Sequence, residues 1–400
     1  MDQTAAGLVI SVALNNTDCL YRQQNGDNCQ MKIIVSGGGT GGHIYPALTI
    51  ADTIKKLYPD AEIRFVGTTH GLEKDLVPRA GYPIDFIDVQ GFKRSLSADT
   101  FRSVYKLFTG LGDAKKLLDT HKPDLVIGTG GYVCGPIVFL AAIKGIPACV
   151  QEQNALPGVT NKILSYFVKT IFLGYKEADK YFKGKAQKIF TGNPIREEIL
   201  SHTRWEALRF FQLDVQKKTI LITGGSLGAA SLNKAAFQLE KELSGRDDVQ
   251  VLHATGKNHY EAYKKQIEEA GGFQSNIRVS PYLYDMPMAL AAADLAVFRA
   301  GAIGLAELTA RGIPSILVPF PYATANHQEF NARALEAAGA ALVILDRELN
   351  GDILQEKVER LLQHDEELRQ MRLAAGRAGR PEAAVDIAKQ AVALINTKKR

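Results

Sequence analysis

Short apolar segments alternate with longer amphipathic stretches along the chain from Met31 onward. Residues 32–36 are rich in β-branched side chains and predict a strand. Residues 44–57 then carry apolar side chains at helical spacing and predict an amphipathic helix. The same pattern predicts further short strands at residues 62–66, 124–127, 148–150 and 170–172. Strands separated by helices predict a parallel sheet covered by helices.

The alternation pauses at Thr191-Gly192-Asn193-Pro194 and then starts again. The second series predicts a helix over residues 227–243 and strands at 219–223, 249–254, 277–279, 295–298, 315–318 and 341–345. We therefore expect an α/β fold with two Rossmann-like parallel-sheet domains facing each other across a cleft. Residues 31–192 would form one domain and 193–378 the other, and a helix within 379–400 would pack back on the first. Ligands should bind in the cleft, at the carboxyl ends of the strands.

Length and composition agree with two folded domains. The 400 residues exceed one typical core, and 46% hydrophobic with 23% charged residues excludes a disordered, collagenous or disulfide-rich chain. Cys134 and Cys149 lie in apolar segments and predict small buried side chains in a reducing compartment. Residues 1–30 are polar and predict a disordered extension. They hold one Arg and three Asp against a total of +5, which leaves +7 for the rest. That balance suits an anionic membrane or phosphate ligand, and no nucleic-acid partner is expected.

Glycine-rich segments follow three of the predicted strands. They are Gly37-Gly38-Gly39-Thr40-Gly41-Gly42, Gly128-Thr129-Gly130-Gly131 and Gly224-Gly225-Ser226-Leu227-Gly228. Because glycine lacks a Cβ atom, backbone N–H groups can approach an oxyanion, and the start of the following helix adds positive potential. One such loop could be a tight turn and nothing more. Three of them at equivalent strand ends favour a phosphate or pyrophosphate ligand.

The first loop also matches the dinucleotide pattern G-x-G-x-x-G at Gly37, Gly39 and Gly42. That pattern requires an acidic residue at the end of the second strand to bind ribose. The second predicted strand here is followed by Gly67, Thr68 and Thr69, without an acidic residue. No Gly-Lys-Ser or Gly-Lys-Thr follows the glycines, so the P-loop pattern fails as well. Both of these nucleotide-binding classes are therefore disfavoured.

Six motifs follow one another along residues 31–400. They are Gly39-Thr40-Gly41-Gly42-His43-Ile44-Tyr45-Pro46-Ala47, Gln151-Glu152-Gln153-Asn154, Thr191-Gly192-Asn193-Pro194-Ile195-Arg196, Gly224-Gly225-Ser226-Leu227-Gly228-Ala229, Arg299-Ala300-Gly301-Ala302 with Glu307, and Asn326-His327-Gln328 with Asn331. In this order they resemble the MurG family. The resemblance implies a GT-B fold and a cofactor-free, inverting hexosyltransferase. Such an enzyme transfers N-acetylglucosamine from its UDP carrier to lipid I, giving lipid II for peptidoglycan. Leu227 departs from the family pattern, where many members have Gln.

The resemblance implies that the second domain binds the donor. Ser226 would contact the UDP pyrophosphate, Glu307 the ribose hydroxyls, and the backbone near Leu283 the uracil. The remaining donor contacts would come from Asn154, Arg196, Ala302, Ile303, Gly304, Leu305, Ala306, His327 and Gln328. Three of these residues also have a structural alternative: Ser226 as a helix N-cap, Glu307 as an exposed helix residue and Leu283 as core packing.

The first domain would then hold the acceptor, with Thr40, Gly41 and Gly42 around its pyrophosphate or the donor sugar. His43 stands at a predicted helix start, where the helix dipole disfavours the imidazolium form. A neutral ring could accept the proton of the acceptor hydroxyl, although a histidine at a helix start is often structural. The sequence contains no Asp-x-Asp, the usual metal ligands for a nucleotide sugar, so transfer without a metal is expected. Loop N–H groups and helix starts could stabilise the departing UDP.

A lipid-linked acceptor implies peripheral contact with an anionic membrane, at the cytoplasmic side of the bacterial cell membrane. No run of 18 apolar residues is present to span a bilayer. Residues 71–112 mix apolar and basic side chains that could meet lipid headgroups. They are Leu72, Lys74, Leu76, Val77, Phe92, Lys93, Arg94, Phe101, Arg102, Lys106 and Phe108. Core packing is the alternative where their spacing is helical. Cell-wall synthesis proteins are the further partners that the resemblance suggests.

Three other functions stay open on the residues alone. A UDP-N-acetylglucosamine 2-epimerase shares the two-domain architecture and would interconvert free UDP-sugars. A non-catalytic subunit would bind the nucleotide sugar without turning it over. A transferase acting on diacylglycerol would share the mechanism and differ in its acceptor. The three differ from the expected enzyme in the product that they would form.

Overall fold

In the computed structural model, residues 30–90, 98–225 and 228–396 are described, with only the backbone described for 98–108. The extension predicted over residues 1–30 therefore lies, except for Gln30, outside the described residues. The same applies to Ser226 and Leu227 of the third glycine loop. It also applies to part of the predicted membrane patch, namely Phe92, Lys93 and Arg94 and the side chains of Phe101, Arg102, Lys106 and Phe108.

The first domain is built on a parallel sheet of seven described strands in the order β3-β2-β1-β4-β5-β6-β7. The strands are β1 Lys32–Ser36, β2 Glu62–Gly67, β3 Ile84–Phe86, β4 Leu125–Gly128, β5 Ala148–Glu152, β6 Thr170–Leu173 and β7 Gln187–Phe190. The helices are α1 Gly41–Leu57, α2 Glu73–Arg79, α3 Ala98–His121, α4 Cys134–Ile143 and α5 Val159–Leu164, with a 3₁₀ helix at Lys176–Tyr181.

The second domain is built on a parallel sheet of six described strands in the order β10-β9-β8-β11-β12-β13. The strands are β8 Lys218–Thr223, β9 Val249–Ala254, β10 Ile277–Ser280, β11 Leu295–Phe298, β12 Ser315–Leu317 and β13 Ala341–Val343. The helices are α6 Glu198–Ser201, α7 Arg204–Phe210, α8 Ala230–Leu243, α9 Tyr260–Glu269, α10 Met286–Ala292, α11 Ala302–Ala310, α12 His327–Ala337, α13 Gly351–Gln363, α14 Asp365–Ala378 and α15 Ala383–Asn396, with a 3₁₀ turn at Thr324–Asn326.

Alternation along the central strands divides the core of the first domain between the two faces of its sheet. Ile33 and Val35 of β1 pack in one apolar cluster, and Ile34 packs in the cluster on the other face. Full burial of each such side chain contributes roughly 1.5–3 kcal/mol relative to exposure. Cys134 and Cys149 are buried, as predicted. The predicted α/β fold with two facing parallel-sheet domains is confirmed.

The strands that the sequence pattern missed, β3 and β7, lie at the two edges of the first sheet. β3 is three residues long, and β7 begins with two exposed polar residues. Edge strands bury less surface than central strands, so their apolar signal is weaker. The prediction that Val77 could face a membrane is wrong, because α2 turns this side chain into the core.

The chain crosses between the domains at two neighbouring segments. The first follows β7, and the second connects α14 to α15, whose Ile387 and Ala391 pack in the core beside β1 of the first domain. The segments touch at Gly192, where a Cβ atom would lie 2.4 Å from the Cβ of Arg380. Gly192 also has a φ of +82°, so this position favours glycine on both counts. Among the described helices, none is both long and apolar enough to cross a membrane.

Candidate active site

The motifs of the sequence gather where the strand order of each sheet reverses. In the first sheet, β1 and β4 are neighbours, and the first and second glycine loops follow them. In the second sheet, β8 and β11 are neighbours, and they are followed by the third glycine loop and by Arg299-Ala300-Gly301. Open parallel sheets bind ligands at such switch points. Each domain therefore contributes one half of a candidate site.

His43 stands in the first turn of α1, with its ring held by the second glycine loop. Its Nδ1 lies 3.1 Å from the carbonyl oxygen of Thr129 and 3.1 Å from Oε1 of Gln153. The Gln153 amide is oriented by its own Nε2, which donates to the Thr129 carbonyl at 2.7 Å. Both partners of Nδ1 are therefore acceptors, so the proton of a neutral His43 ring lies on Nδ1. Nε2 keeps its lone pair and can accept a proton.

The environment of His43 also favours the neutral ring. Burial lowers the pKa of His43 below its usual value, and His327 of the second domain lowers it further. The charge of Glu152 and the hydrogen bonds that His43 donates to Gln153 and Thr129 oppose this shift without reversing it. His43 is therefore uncharged at neutral pH, as a proton acceptor must be.

A buried polar network lies behind His43, at the end of β5. Nε2 of Gln151 donates to Oδ1 of Asn193 at 2.9 Å, and Nδ2 of Asn193 donates to the carbonyl of Gln153 at 2.9 Å. Nε2 of Gln153 in turn donates to Oε1 of Gln151. Asn193 belongs to the first crossing between the domains. The support of His43 and the crossing segment therefore share one set of hydrogen bonds.

Glu152 fixes the loop after β5. Its Oε1 accepts from the backbone N–H of Asn154 at 2.9 Å and from Nδ2 of Asn154 at 3.3 Å. Its Oε2 accepts from the backbone of Gly158 at 3.1 Å and from Nδ2 of Asn161 at 2.9 Å. A buried carboxylate is tolerated only with such partners. Glu152 therefore holds Asn154, one of the expected donor contacts, in a single orientation.

Asn331 of α12 joins the two domains directly. Its Oδ1 accepts from the backbone N–H of Ala155 at 2.9 Å, and its Nδ2 donates to Oδ1 of Asn154 at 3.1 Å. Beside it, Ala155 and Tyr175 of the first domain pack against Ala302 of the second. Asn154 thus lies at the boundary between the domains, as expected, and in this structure its side chain carries part of the contact between them.

Arg196 and Glu307, which lie far apart in the sequence, are brought together in the cleft. Nη2 of Arg196 lies 3.5 Å from Oε1 of Glu307. Burial raises the pKa of Glu307 above its usual value, and Arg196 opposes that shift. The Arg196 side chain is half exposed. The carboxylate is therefore a buried acceptor at the cleft, with one half-exposed cation beside it.

The other expected donor residues of α11 line the start of that helix. Ala302 and Leu305 are buried in the core of the second domain, whereas Ile303, Gly304 and Ala306 are partly exposed. The first turn of α11 carries no acidic residue and its N-cap residue, Gly301, has no capping side chain. The first turn of the helix therefore has no side chain of its own that caps or neutralises its positive end.

His327 and Gln328 begin α12 after an unusual turn. Ala325 and Asn326 both adopt left-handed backbone conformations, with φ of +53° and +57°. Such conformations are uncommon outside glycine and occur often at functional sites. Nδ1 of His327 lies 2.7 Å from the carbonyl of Thr324, which leaves Nε2 as the other polar atom of the ring. Oε1 of Gln328 accepts from the backbone of Phe320 at 2.9 Å, and its amide nitrogen remains available as a donor.

Two further sequence candidates have structural environments. Leu283 packs in the core of the second domain, so only its backbone could contact a base. Arg299 donates to Asp346 at 2.6 Å, to Oγ of Ser231 at 2.9 Å and to the carbonyl of Val318 at 3.2 Å. It therefore holds the loop after β11 together. Ser226 lies outside the described residues, and among those described, no group of three or more His, Cys, Asp or Glu could hold a metal ion.

Comparisons with known proteins agree over both domains. The family model "Glycosyltransferase family 28 N-terminal domain" matches residues 33–173, and "Glycosyltransferase family 28 C-terminal domain" matches residues 219–390. A curated relative from Acetivibrio thermocellus is 52% identical over 341 residues, which is 85% of this chain and 92% of the relative. It is named UDP-N-acetylglucosamine–N-acetylmuramyl-(pentapeptide) pyrophosphoryl-undecaprenol N-acetylglucosamine transferase. The crystal structure of MurG from Acinetobacter baumannii has a TM-score of 0.75 and 27% identity, covering 91% of this chain and 99% of that one.

The chain belongs to the MurG family. The predicted resemblance, GT-B fold and hexosyltransferase class are thereby confirmed. A UDP-GlcNAc 2-epimerase from Neisseria meningitidis, bound to UDP-GlcNAc, has a TM-score of 0.64 at 14% identity, covering 91% of this chain and 100% of that one. At that identity the likeness shows the shared fold alone. Nothing in it favours epimerase chemistry for this MurG-family chain.

Sequence reasoning missed the residues that support the site. Gln153 and Asn193 lay inside quoted motifs, but nothing in the sequence linked them to His43 or to each other. The signal was a run of polar residues, Gln151-Glu152-Gln153, directly after residues 148–150, the apolar segment that predicts a strand. Polar side chains that continue a buried strand must find hydrogen-bond partners, so they predict a network of this kind.

Asn331→Asp tests the contact between the domains. The substitution keeps the shape but places an oxygen against the Asn154 and Ala300 oxygens that now accept from Nδ2. We expect the free energy of unfolding, measured by chemical denaturation, to fall by about 1–3 kcal/mol. Asn396→Asp, at an exposed position near the end of α15, is the matched control. Equal stability of the two variants would contradict the assigned contact.

Proposed function

We propose that this chain transfers N-acetylglucosamine from UDP-N-acetylglucosamine to lipid I, the undecaprenyl-pyrophosphoryl muramyl pentapeptide, giving lipid II and UDP. The named activity of the 52% identical relative supports the reaction. The arrangement that carries the proposal is the neutral His43, with its Nδ1 proton held by two acceptors, opposite the donor residues of the second domain. A binding subunit or an epimerase would not require a proton acceptor held for an incoming hydroxyl group.

The donor would lie on the second domain. Glu307 is a buried acceptor suited to the two vicinal hydroxyls of ribose, and Arg196 would give way or follow the ligand. The amide of Gln328 and Nε2 of His327 offer polar atoms for the sugar hydroxyls. The start of α8 supports a diphosphate, because Ala229 gives it no capping side chain and its first turn is free of acidic residues. Backbone atoms near Leu283 remain our proposal for uracil.

Transfer would proceed by direct displacement. The acceptor hydroxyl oxygen forms a bond to the anomeric carbon while the bond from that carbon to the UDP oxygen breaks. The proton of the hydroxyl passes to Nε2 of His43, and UDP leaves with the bonding electron pair. The uncapped helix starts at the cleft would stabilise the charge that develops on UDP. We propose that this reaction needs no metal ion, since the sequence lacks the usual carboxylate pair.

The acceptor would reach the site from a membrane surface on the cytoplasmic side. Support comes from exposed apolar side chains at the end of α4 and along α5, here called the α4–α5 surface: Ile143, Val159, Ile163, Tyr166 and Phe167. Phe167 contacts Phe139 of α4 edge-on, which joins the two helices into one surface. Lys162 projects from the same helix and stacks over the ring of Tyr181. Apolar groups flanked by lysine suit an anionic bilayer surface. The prenyl chain of the acceptor would require contact with such a surface.

The reaction itself is tested by supplying radiolabelled UDP-N-acetylglucosamine and a lipid I analogue, with and without EDTA. We expect labelled lipid in both cases, separated from the substrate by chromatography. Formation of an epimerised nucleotide sugar, or binding without any product, would refute the proposed transfer reaction. Loss of product in EDTA with recovery on adding Mg²⁺ would refute only its metal independence.

His43→Ala should lower kcat by roughly 10²- to 10⁴-fold, because a positioned general base contributes about that much. Donor affinity, measured by calorimetry, should stay within about twofold, since most of the expected donor residues lie on the other domain. The wild-type rate should fall as pH drops through the pKa of His43, because protonation removes the base. Burial lowers that pKa, so the fall should begin below the ordinary histidine range. Equal losses of kcat and of donor affinity would argue against the base.

The α4–α5 surface is tested with vesicles that contain anionic phospholipid. Ile163→Glu combined with Tyr166→Glu should weaken sedimentation with the vesicles at least tenfold, because both side chains are exposed and would face headgroups. Val215→Glu, equally exposed on the second domain, is the control and should bind as the wild type does. Unchanged vesicle binding of the double variant would show that the membrane contact does not lie on the α4–α5 surface.

A further inference from the structure

A carboxylate is buried beneath the first glycine loop. Glu73 begins α2, and only 1% of it is exposed to solvent. Its Oε2 accepts from the backbone N–H of Gly39 at 3.0 Å. Its Oε1 accepts from the backbone N–H of Thr68 at 3.0 Å and from Oγ1 of Thr68 at 2.8 Å. All three contacts require an acceptor, and a carboxylate supplies one at each oxygen.

Three glycines make room for this side chain. A Cβ atom on Gly38 would lie 2.7 Å from Oε1 of Glu73, one on Gly67 would lie 2.6 Å from its Cγ, and one on Gly71 would lie 2.0 Å from its Oε2. All three distances are shorter than normal contacts. At least Gly38 of the first glycine loop therefore makes room for the Glu73 carboxylate. The sequence alone had indicated that this loop makes room for a phosphate ligand.

The carboxylate is connected to His43 through the backbone. Gly39, which it holds, has a φ of +85° and leads into Thr40. The carbonyl of Thr40 accepts from the backbone N–H of His43 at 3.1 Å and of Ile44 at 3.2 Å, which starts α1. On the opposite side, Oγ1 of Thr129 donates to the carbonyl of His43 at 2.7 Å. The start of α1 is therefore fixed between Glu73 and Thr129.

We propose that Glu73 is a positioning residue for the transfer reaction: it fixes Gly39 and so sets the start of α1, from which His43 projects. This inference rests on the proposed role of His43. Glu73 also restricts where a phosphate of the acceptor could bind, because the backbone N–H of Gly39 already donates to Glu73. A phosphate at this loop would rely on the N–H groups of Gly41 and Gly42, in the first turn of α1.

The test is Glu73→Gln, which is nearly isosteric. The amide must turn its NH₂ group towards either Gly39 or Thr68, so one hydrogen bond is replaced by two facing donors. We expect hydrogen exchange of the 37–42 amides to accelerate at least tenfold. We expect kcat to fall by roughly ten- to a hundredfold, with the donor dissociation constant within about twofold of wild type. Gly38→Ala, whose Cβ would press on the same carboxylate, should reproduce this pattern if Glu73→Gln folds poorly.

Val77→Ala is the matched control, since Val77 is buried on the same helix and packs in the core. It should lower the melting temperature and leave both kcat and the exchange of residues 37–42 unchanged. Unaltered exchange in Glu73→Gln would overturn the inference, as would accelerated exchange with normal kcat. If kcat fell in proportion to the loss of melting temperature in both Glu73→Gln and Val77→Ala, the role of Glu73 would be purely structural. Failure of the wild type to transfer sugar would instead refute the proposed function, because the exchange measurement needs no substrate.

Discussion

The candidate site depends on the need of buried polar groups for partners. Gln151, Glu152 and Gln153 continue a fully buried strand, where a polar atom left without a hydrogen bond costs about 1–3 kcal/mol. Each of the three has hydrogen-bond partners in the segments around the cleft. The orientation of the His43 ring, the course of the loop with Asn154 and the first crossing between the domains are all set there. Buried hydrogen bonds thereby hold loops that lack regular structure.

The same contacts determine how the two halves of the site meet. Asn331 ends one chain of hydrogen bonds that runs through Asn154 to Glu152, so the second domain is coupled to the network behind His43. The pair of Arg196 and Glu307 is looser, at 3.5 Å with the arginine half exposed. A ligand that bonds to Glu307 would compete with Arg196 and leave the Asn331 contact intact.

The sequence predicts the central strands well because all-apolar β-branched runs bounded by glycine allow few other interpretations. It predicts the edge strands β3 and β7 poorly, since none of their residues is fully buried. Family motifs brought out His43, Glu307 and Asn154, whose roles remain proposals. Glu73 could not be found in this way, because a glutamate at a helix start is normally an exposed residue that complements the dipole. Only its burial beneath Gly39, a contact across 34 positions of sequence, distinguishes it.

Glycine loops that look equivalent in sequence therefore differ in what they can bind. The first has one N–H on Glu73, and a buried acceptor beneath a loop disfavours a second anion at that point. The third precedes α8, whose start, like that of α1, has neither a capping side-chain hydrogen bond nor an acidic residue in its first turn. Gly225 and Gly228 take positive φ there, and a Cβ on Gly228 would lie 2.1 Å from the carbonyl of Thr255. The described N–H groups of Gly225 and Gly228 donate to the Thr223 hydroxyl and to the Gly225 carbonyl, which are neutral acceptors, whereas the Gly39 N–H of the first loop donates to a carboxylate. This difference agrees with the proposed leaving group on the second domain and the proposed catalytic base on the first.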